Sequence, residues 1–335
     1  MKSACRGDPR GRPPNVICDF VILSKKQIQW VRSLAIRKNR DREQAFIAEG
    51  PKVVGELINA GFECLFLAYT EGTSRARYLQ GCSSLSSFQV SDNDLTRLSQ
   101  LQTPQGVIAV FRIPAEPSLT LDASIPDGST GDREDNWLAG RPQGSPLHAM
   151  DERLEGGFFS LLLDRVQDPG NVGTIIRLCD WFGVEDIFLS EGCADPWAPK
   201  VVQASMGALA RVRVHTHVDA ANLCKAVRTQ GLPVYACVLD GENIFQADLS
   251  APVDPPKQSD TAVRPTIHYS PFTIHHSSLP LVVLGNEGQG ISQEVLEQVS
   301  RRLTIPNYPP GRPTSESLNV AMAAAIVLAE FRRQR

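Results

Sequence analysis

Apolar runs alternate with amphipathic stretches along the second half of the chain. Residues 158–163 read FFSLLL, an apolar run that is typical of a strand buried on both faces. The same pattern predicts further strands at 187–189, 211–214, 234–239 and 281–284, and helices at 171–182, 201–210, 220–230, 293–299 and 318–332. Strands that alternate with helices indicate a parallel sheet, which binds its ligands at the carboxyl ends of the strands.

The first half of the chain predicts a smaller α/β unit. Its pattern indicates helices at 27–36, 52–60 and 92–101, and strands at 64–68 and 106–112. Gly61 follows the second of these helices, where glycine is a favoured C-terminal cap. The chain is therefore expected to hold two α/β domains of unequal size.

Two stretches interrupt this pattern. Residues 115–157 and 251–278 are rich in Pro, Gly, Ser and Asp and lack sustained hydrophobic periodicity. Such stretches bury too little apolar surface to offset the entropy lost on ordering, so we interpret them as a linker and a surface insertion. The predicted organisation is a flexible N-terminus at 1–20, a small α/β domain (the first domain) at 21–114, the linker at 115–157 and a larger α/β domain (the second domain) at 158–335.

Composition narrows the class of protein without naming a function. The 335 residues are 42% hydrophobic and 21% charged, as in ordinary globular proteins, and no stretch reaches the roughly 18 apolar residues of a membrane span. The eight cysteines include no C-x-x-C pair, and neither His215 with His217 nor His275 with His276 has a third ligand at metal-binding spacing. We therefore expect a soluble cytoplasmic protein without a metal site or a disulfide framework.

Charge is distributed unevenly along the chain. The net charge is −3, yet the first sixty residues carry twelve Lys or Arg against six Asp or Glu, which leaves them at +6 and the remaining residues at −9. A local basic surface binds phosphates whatever the total charge is. On charge alone, however, a solvated helix face is the simpler interpretation.

Three segments at the carboxyl ends of predicted strands carry the candidate chemistry. In the first segment, residues 164–177, a D-P-G turn delivers Asn171 to the start of a helix. Arg177 follows six residues later, so the side chains of Asn171 and Arg177 need not share a helix face. A capping Asn and a surface Arg are the commoner meaning of such residues.

The second and third segments are rich in glycine and in helix-capping residues. In the second, residues 284–292, three glycines including Gly285 expose backbone groups to a close ligand, although their spacing fits neither a dinucleotide fingerprint nor a P-loop. Glu287 in this segment also suits a helix cap. The third segment, residues 303–319, begins with L-T-I-P, continues through a loop rich in Pro and Gly, and ends in S-L-N, an ordinary helix start.

The order of the three segments resembles the three signature motifs of the SpoU/TrmH family of RNA 2′-O-ribose methyltransferases. The match reads N-x-G-x-x-x-R, then L-G-N-E-G-x-G-I, then I-P followed by S-L-N-V-A-x-A. Residues 28–61 also look like the N-terminal substrate-binding domain of that family. Together the matches extend over most of 22–114 and 158–335.

The resemblance implies a fold, a methyl donor and partners. The implied fold is a parallel-sheet α/β domain with a C-terminal trefoil knot, preceded by a small α/β RNA-binding domain. The implied cofactor is S-adenosyl-L-methionine, and the implied substrate is structured RNA, either rRNA or tRNA, of which we favour rRNA. The family also forms a homodimer through the methyltransferase domain, and the apolar stripe of the helix at 318–332 suits packing against a second subunit.

Site residues follow from the same resemblance. The cofactor-binding positions correspond to Gly285, Ile305 and Leu318, largely through backbone groups. The catalytic positions correspond to Arg177, Asn171, Glu287, Ser317 and Asn319. The loop at 307–316 is longer and richer in proline than the family pattern, so the resemblance leaves its contacts open.

The chemistry of such an enzyme gives these residues distinct tasks. A ribose 2′-hydroxyl is a poor nucleophile and must lose its proton as it attacks a sulfonium methyl group. Because arginine stays protonated in proteins, we interpret Arg177 as a clamp for the neighbouring phosphate that lowers the cost of the developing alkoxide. Asn171 and Ser317 would orient the ribose, and Glu287 would hold Arg177 or the loop in place.

Two other classes of function stay open at this point. One is a non-catalytic RNA-binding relative of the family, against which the complete set of motif residues argues. The other is a small-molecule enzyme on a nucleotide-binding α/β sheet. The basic first domain and the lack of a dinucleotide fingerprint or P-loop argue against that second class.

Overall fold

The computed structural model describes residues 23–73, 87–115, 118–122, 159–249, 266–270, 272–273, 280–309, 312, 315 and 317–334. The N-terminus at 1–20, which we expect to be flexible, lies outside these ranges. Among the helices in the described ranges, none has both the length and the apolar character that a membrane crossing requires.

A four-stranded sheet with helices on both faces forms the first domain. In chain order its elements are α1 (Lys25–Ser33), α2 (Arg37–Glu43), β1 (Ala45–Glu49), α3 (Pro51–Asn59), β2 (Cys64–Tyr69), β3 (Ser87–Gln89), α4 (Asp92–Leu98) and β4 (Val107–Arg112). The strand order is β1-β4-β2-β3, with β4 antiparallel to β1 and β2 and with β3 parallel to β2. Helix α3 packs on one face of this sheet, and α1 and α4 pack on the other.

Helix α2 and strands β1 and β3 of the first domain escape prediction, β3 because three residues are too few to show a pattern. Helix α2 reads RKNRDRE and buries only Arg40, so it has no apolar stripe that periodicity could detect. Strand β1 is buried along all five residues but is too short to establish a period. The helices and strands predicted at 27–36, 52–60, 64–68, 92–101 and 106–112 are present, with ends shifted by a few residues.

A six-stranded parallel sheet forms the second domain. Its elements are β6 (Ser160–Asp164), α5 (Pro169–Phe182), β7 (Asp186–Ser190), α6 (Pro199–Ser205), β8 (Arg213–Val218), α7 (Ala220–Thr229), β9 (Val234–Asn243), β12 (Leu281–Gly285), α8 (Gln293–Leu296), β13 (Arg301–Thr304) and α9 (Val320–Arg333). The strand order is β13-β9-β12-β6-β7-β8, and every neighbouring pair is parallel. The predicted parallel-sheet α/β fold is confirmed. The trefoil knot stays a prediction.

Three details of the second domain differ from the sequence-based expectation. The helix expected at 201–210 divides into α6 and a 3₁₀ turn (Ala208–Ala210), because Met206 and Gly207 between them adopt left-handed φ values of 53° and 94°. Strand β13 lies at the start of the third segment, where the hydrophobic pattern gives no bounds for a strand. Helix α9 begins at Val320, so Leu318 lies before the helix rather than in its first turn.

The two stretches interpreted as linker and insertion contain short strands. Strand β5 (Ser118–Asp122) lies in the first stretch, and β10 (Thr266–Ser270) and β11 (Phe272–Thr273) lie in the second. Strand β10 pairs antiparallel with both β5 and β11. Periodicity does not reveal such a sheet, because its strands come from segments far apart in the chain. Apart from residue 115 and these strands, both stretches lie outside the described ranges, including His275 and His276. The domain boundaries stay a prediction.

The two domains share one continuous apolar core. Buried side chains of α3 and β1 cluster with buried side chains of α5 and β6. At the centre of this contact the ring of Phe46 in β1 lies 4.8 Å from the ring of Trp197 in the loop before α6. The first domain is therefore packed against the second rather than tethered to it only through residues 115–157.

Candidate active site

A cavity of about 480 Å³ opens at the edge of the large sheet where β9, β12 and β13 end. Parallel strands present their carboxyl ends at the same edge, so segments far apart in the chain converge there. The three residues predicted to bind cofactor, Gly285, Ile305 and Leu318, all line this cavity. Glu287 and Ser317 line it as well. The second and third segments thus form one concave site.

At Gly285 the loop after β12 turns back, so that the backbone of Gly290 and Ile291 lies against it. A Cβ atom at this position would lie 2.5 Å from the nitrogen of Ile291 and 2.7 Å from the carbonyl oxygen of Gly290. Atoms that are not bonded to each other do not approach so closely, so any side chain at Gly285 would push the loop after β12 out of place. Glycine at this position is a requirement of backbone packing.

Asn286 fixes the shape of the same loop, although the sequence alone did not single it out. Its backbone exchanges two hydrogen bonds with Gly290, at 3.0 and 2.9 Å. Its side-chain oxygen accepts from the N–H groups of Gly288 and Gln289, and its Nδ2 donates to the carbonyl of Arg165 at 2.7 Å. The second segment is therefore folded around Asn286 and tied by it to the first.

A chain of side-chain hydrogen bonds joins all three segments. Nδ2 of Asn319 donates to Oδ1 of Asn171 at 3.0 Å, and Nδ2 of Asn171 donates to Oε1 of Glu287 at 2.7 Å. We call this chain, Asn319 to Asn171 to Glu287, the amide relay. It assembles three of the five predicted catalytic residues.

The direction of the amide relay follows from the start of α9. Asn319 caps this helix, and its Oδ1 accepts from the backbone N–H groups of Ala321 and Met322. Its amino group is thereby left to face Asn171, which must present its oxygen and turn its own amino group to Glu287. The Glu287 carboxylate is an acceptor at the end of this chain.

A buried carboxylate, which sequence reasoning missed, binds the backbone of the second segment at the edge of the sheet. Asp164, at the end of β6, is 2% exposed, and its Oδ2 accepts from the backbone N–H of Ser292 at 2.6 Å. The hydroxyl of Ser190, at the end of β7, donates to its Oδ1 at 3.3 Å. Asp164 therefore connects the ends of two strands to the second segment. A carboxylate closing an otherwise apolar run was the only sequence signal for it.

Arg177 and Ser317 stand apart from these contacts. Both are exposed, and within the part of the chain that the structure describes neither makes a side-chain hydrogen bond or an ion pair. Glu287 contacts Asn171 and not Arg177, so the hypothesis that Glu287 holds Arg177 gives way to one in which it holds the loop. Arg177 lies on α5 six residues beyond Asn171, on a different part of the helix surface.

Two other reactive groups of the second domain, the Cys237 thiol and the His215 imidazole, have structural roles. Burial raises the pKa of the Cys237 thiol in the cavity wall to about 12, so this thiol stays protonated. His215 is buried, with Nε2 2.8 Å from Asp186 and its ring stacked on Phe188. Among the described residues no three His, Cys, Asp or Glu side chains form a group suited to a metal ion.

Family comparisons place this geometry in a known context. Residues 159–329, just over half of the chain, match the SpoU rRNA Methylase family. The chain belongs to this family. Residues 25–109 match the MRM3-like substrate binding domain. The family inferred from the three segments is confirmed, and with it the class of enzyme, an RNA methyltransferase.

Individual relatives extend over most of the chain. The 23S rRNA (guanosine(2553)-2′-O)-methyltransferase RlmP of Bacillus subtilis is 25% identical, over 92% of this chain and 96% of its own. A structure from Porphyromonas gingivalis, described as an RNA methyltransferase of the TrmH family, is 36% identical with a TM-score of 0.66 and covers 94% of this chain and all of its own. The AdoMet-bound rRNA methyltransferase of Sinorhizobium meliloti has the same fold, with a TM-score of 0.65 at 23% identity over 93% of this chain and 96% of its own.

The amide relay predicts that a second substitution can compensate for the first by reversing the donor–acceptor direction of both hydrogen bonds. Asn319→Asp keeps the cap of α9 but removes the donor to Asn171, so we expect it to lower the free energy of unfolding by about 1 kcal/mol. Adding Glu287→Gln lets the side-chain amide of Asn171 flip. Asn171 can then donate to the carboxylate introduced at position 319 and accept from the amide introduced at position 287. We expect the double variant to recover at least half of the loss, measured by chemical denaturation.

A matched variant separates this effect from simple charge relief. Asn319→Asp combined with Glu287→Ala removes the same negative charge but supplies no donor to Asn171, so its recovery should be smaller. Equal recovery with Gln and Ala at Glu287, or strictly additive effects of the two substitutions, would contradict the relay.

Proposed function

We propose that this protein transfers the methyl group of S-adenosyl-L-methionine to a ribose 2′-hydroxyl of RNA. The observation that carries the proposal is the cavity that the second and third segments form, to which the amide relay joins Asn171 of the first segment. The activity in the name of RlmP, a ribose 2′-O-methylation of rRNA, is the same chemistry. Non-catalytic RNA binding fits less well, because the site residues form an ordered hydrogen-bonded set beside the cavity.

The cavity suits the proposed cofactor in size and lining. Its volume of about 480 Å³ falls in the range of small-molecule sites, and Leu284, Ile305 and Leu318 give it an apolar wall against which a purine can pack. The loop at Gly285 offers bare backbone groups to the polar parts of such a ligand. When bound, S-adenosyl-L-methionine supplies an electrophilic methyl group on a sulfonium.

The exposed residues of the site are assigned to the RNA. Arg177 has a guanidinium free of protein partners in the described chain, so it is available to grip a phosphate next to the target ribose and to stabilise the developing alkoxide. The Ser317 hydroxyl at the cavity wall, and the amide hydrogen of Asn171 that the relay leaves unused, would orient the ribose. The phosphate itself is the proposed acceptor of the hydroxyl proton.

We also propose that the protein works as a homodimer through the second domain. Helices α5 and α9 pack against each other and expose two large apolar side chains, Trp181 at 83% and Met322 at 56%. A second subunit covering these side chains would remove them from water. Arg177 lies one turn before Trp181 on the same face of α5, so it would sit at the border of that interface.

We also propose a class of RNA substrate and a cellular location for the protein. The match of residues 25–109 to a substrate binding domain, together with the basic first sixty residues, favours RNA contact through the first domain. We favour rRNA over tRNA because RlmP methylates rRNA by name. The proposed location is the cytoplasm.

Cofactor binding tests the cavity assignment. Gly285→Ala places a methyl group against the backbone of Gly290 and Ile291, so we expect the Kd for S-adenosyl-L-methionine, measured by calorimetry, to rise at least tenfold. Gly288→Ala is the matched control in the same loop, because its Cβ would approach only the Asn286 side chain, at an ordinary 3.6 Å. Equal affinities of the two variants would rule out the proposed placement.

Methyl transfer from tritiated cofactor onto total RNA tests the role of Arg177. We expect Arg177→Ala to lower transfer at least a hundredfold and to leave cofactor affinity unchanged, and Arg177→Lys to restore little because lysine lacks the planar fork. Lys225→Ala, which removes an exposed charge from α7, should have no effect. Near-normal turnover of Arg177→Lys with a new pH dependence would show that residue 177 acts as a base.

A further inference from the structure

The contact between the two domains includes a buried guanidinium. Arg40 in α2 is only 3% exposed. Its Nη1 donates to the carbonyls of Leu34 and Ala35, both at 2.8 Å, which fixes the side chain within its own domain. Its Nε and Nη2 donate across the interface to Oδ2 of Asp195, at 3.0 and 2.5 Å. Four of the five N–H groups of Arg40 are used, so the fork is held in one orientation.

Asp195 belongs to the loop at 191–198 that follows β7. Its other oxygen, Oδ1, accepts from the backbone N–H of Trp197 at 2.9 Å. The Trp197 ring in turn packs against Phe46 and lies 6.5 Å from the ring of Phe62, both in the first domain. One end of this loop is therefore anchored to the first domain by a charge pair and an aromatic cluster.

The other end of the loop is anchored to the first catalytic segment. The Ser190 hydroxyl accepts from the backbone N–H of Arg165 at 2.9 Å. The N–H of Ala194 donates to the carbonyl of Val166, also at 2.9 Å. Arg165 and Val166 begin the stretch that leads to Asn171 in the amide relay. A continuous series of contacts thus runs from Arg40 to the residues beside the cavity.

We infer that Arg40 and Asp195 are positioning residues for the methyl transfer. They hold the first domain at a fixed distance and angle from the first segment, so that RNA bound by the first domain presents its ribose at the cavity. This inference rests on the proposed function. It assigns the pair a task in catalysis that is separate from binding either substrate, since neither residue lines the cavity.

The second ion pair between the domains provides a control. Glu56 in α3 contacts Arg211 at 2.6 Å, and the two side chains are 36% and 31% exposed. Arg211 also binds Asp180, near the far end of α5 from Asn171, so this pair has no contact with the loop at 191–198. A pair this accessible to water contributes less to the stability of an interface than a fully buried one.

Single-turnover kinetics of the full chain test the inference, with whichever RNA the wild type methylates, in vitro transcribed large-subunit rRNA or unmodified tRNA. Asp195→Asn retains an acceptor for Trp197 but loses the charge that holds the Arg40 fork. We expect its rate at saturating RNA and cofactor to fall at least tenfold, with the Kd for RNA and the Kd for S-adenosyl-L-methionine each within threefold of wild type. Glu56→Gln should change the rate less than twofold.

Arg40→Lys is the second variant and should behave like Asp195→Asn, because lysine cannot form the fork. Cofactor-binding stoichiometry gives the fraction of correctly folded protein in each preparation, and rates are referred to it. Rates within twofold of wild type for both variants, or a loss of cofactor affinity in step with the rate, would overturn the inference. Failure of the wild type to methylate either RNA would instead contradict the proposed function.

Discussion

The amide group of Asn319 can cap helix α9 in only one orientation, and that orientation sets the direction of the hydrogen bonds in the site. Because its oxygen is used by the N–H groups of Ala321 and Met322, its amino group must face Asn171. Asn171 then has to direct its own amino group to Glu287. A helix cap, which is a local backbone requirement, thereby sets the orientation of two side chains that come from distant parts of the chain.

The parallel sheet makes this arrangement possible, and close backbone packing preserves it. Parallel strands bring the three segments to one edge, where Gly285 allows the loop after β12 to fold back without a side chain in the way. Asp164 and Asn286 then tie that loop to the end of β6 and to Arg165. The exposed residues Arg177 and Ser317 are left unpaired in the described chain, as groups that bind an external substrate must be. The polar groups that hold the loop in place are thus different from those that we assign to the RNA.

Much of this architecture could be predicted from the sequence, and the omissions have physical causes. The buried strands of the large sheet read as apolar runs, and the order of three short motifs indicated the family and the cavity-lining residues Gly285, Ile305 and Leu318. Periodicity missed α2, which is polar on all sides. It also could not reveal the Arg40–Asp195 contact, because pairs 155 residues apart leave no pattern in the chain. The partner of Glu287 likewise depended on three-dimensional geometry.

The position of the transferred methyl group tests the central claim most directly. RNA labelled by the purified protein with tritiated S-adenosyl-L-methionine is hydrolysed in alkali, which cleaves next to every ribose that has a free 2′-hydroxyl. The account predicts that the label appears in alkali-resistant dinucleotides and, after complete enzymatic digestion, in a single 2′-O-methylnucleoside. Label recovered in alkali-sensitive mononucleotides, with the methyl group on a base, would contradict it.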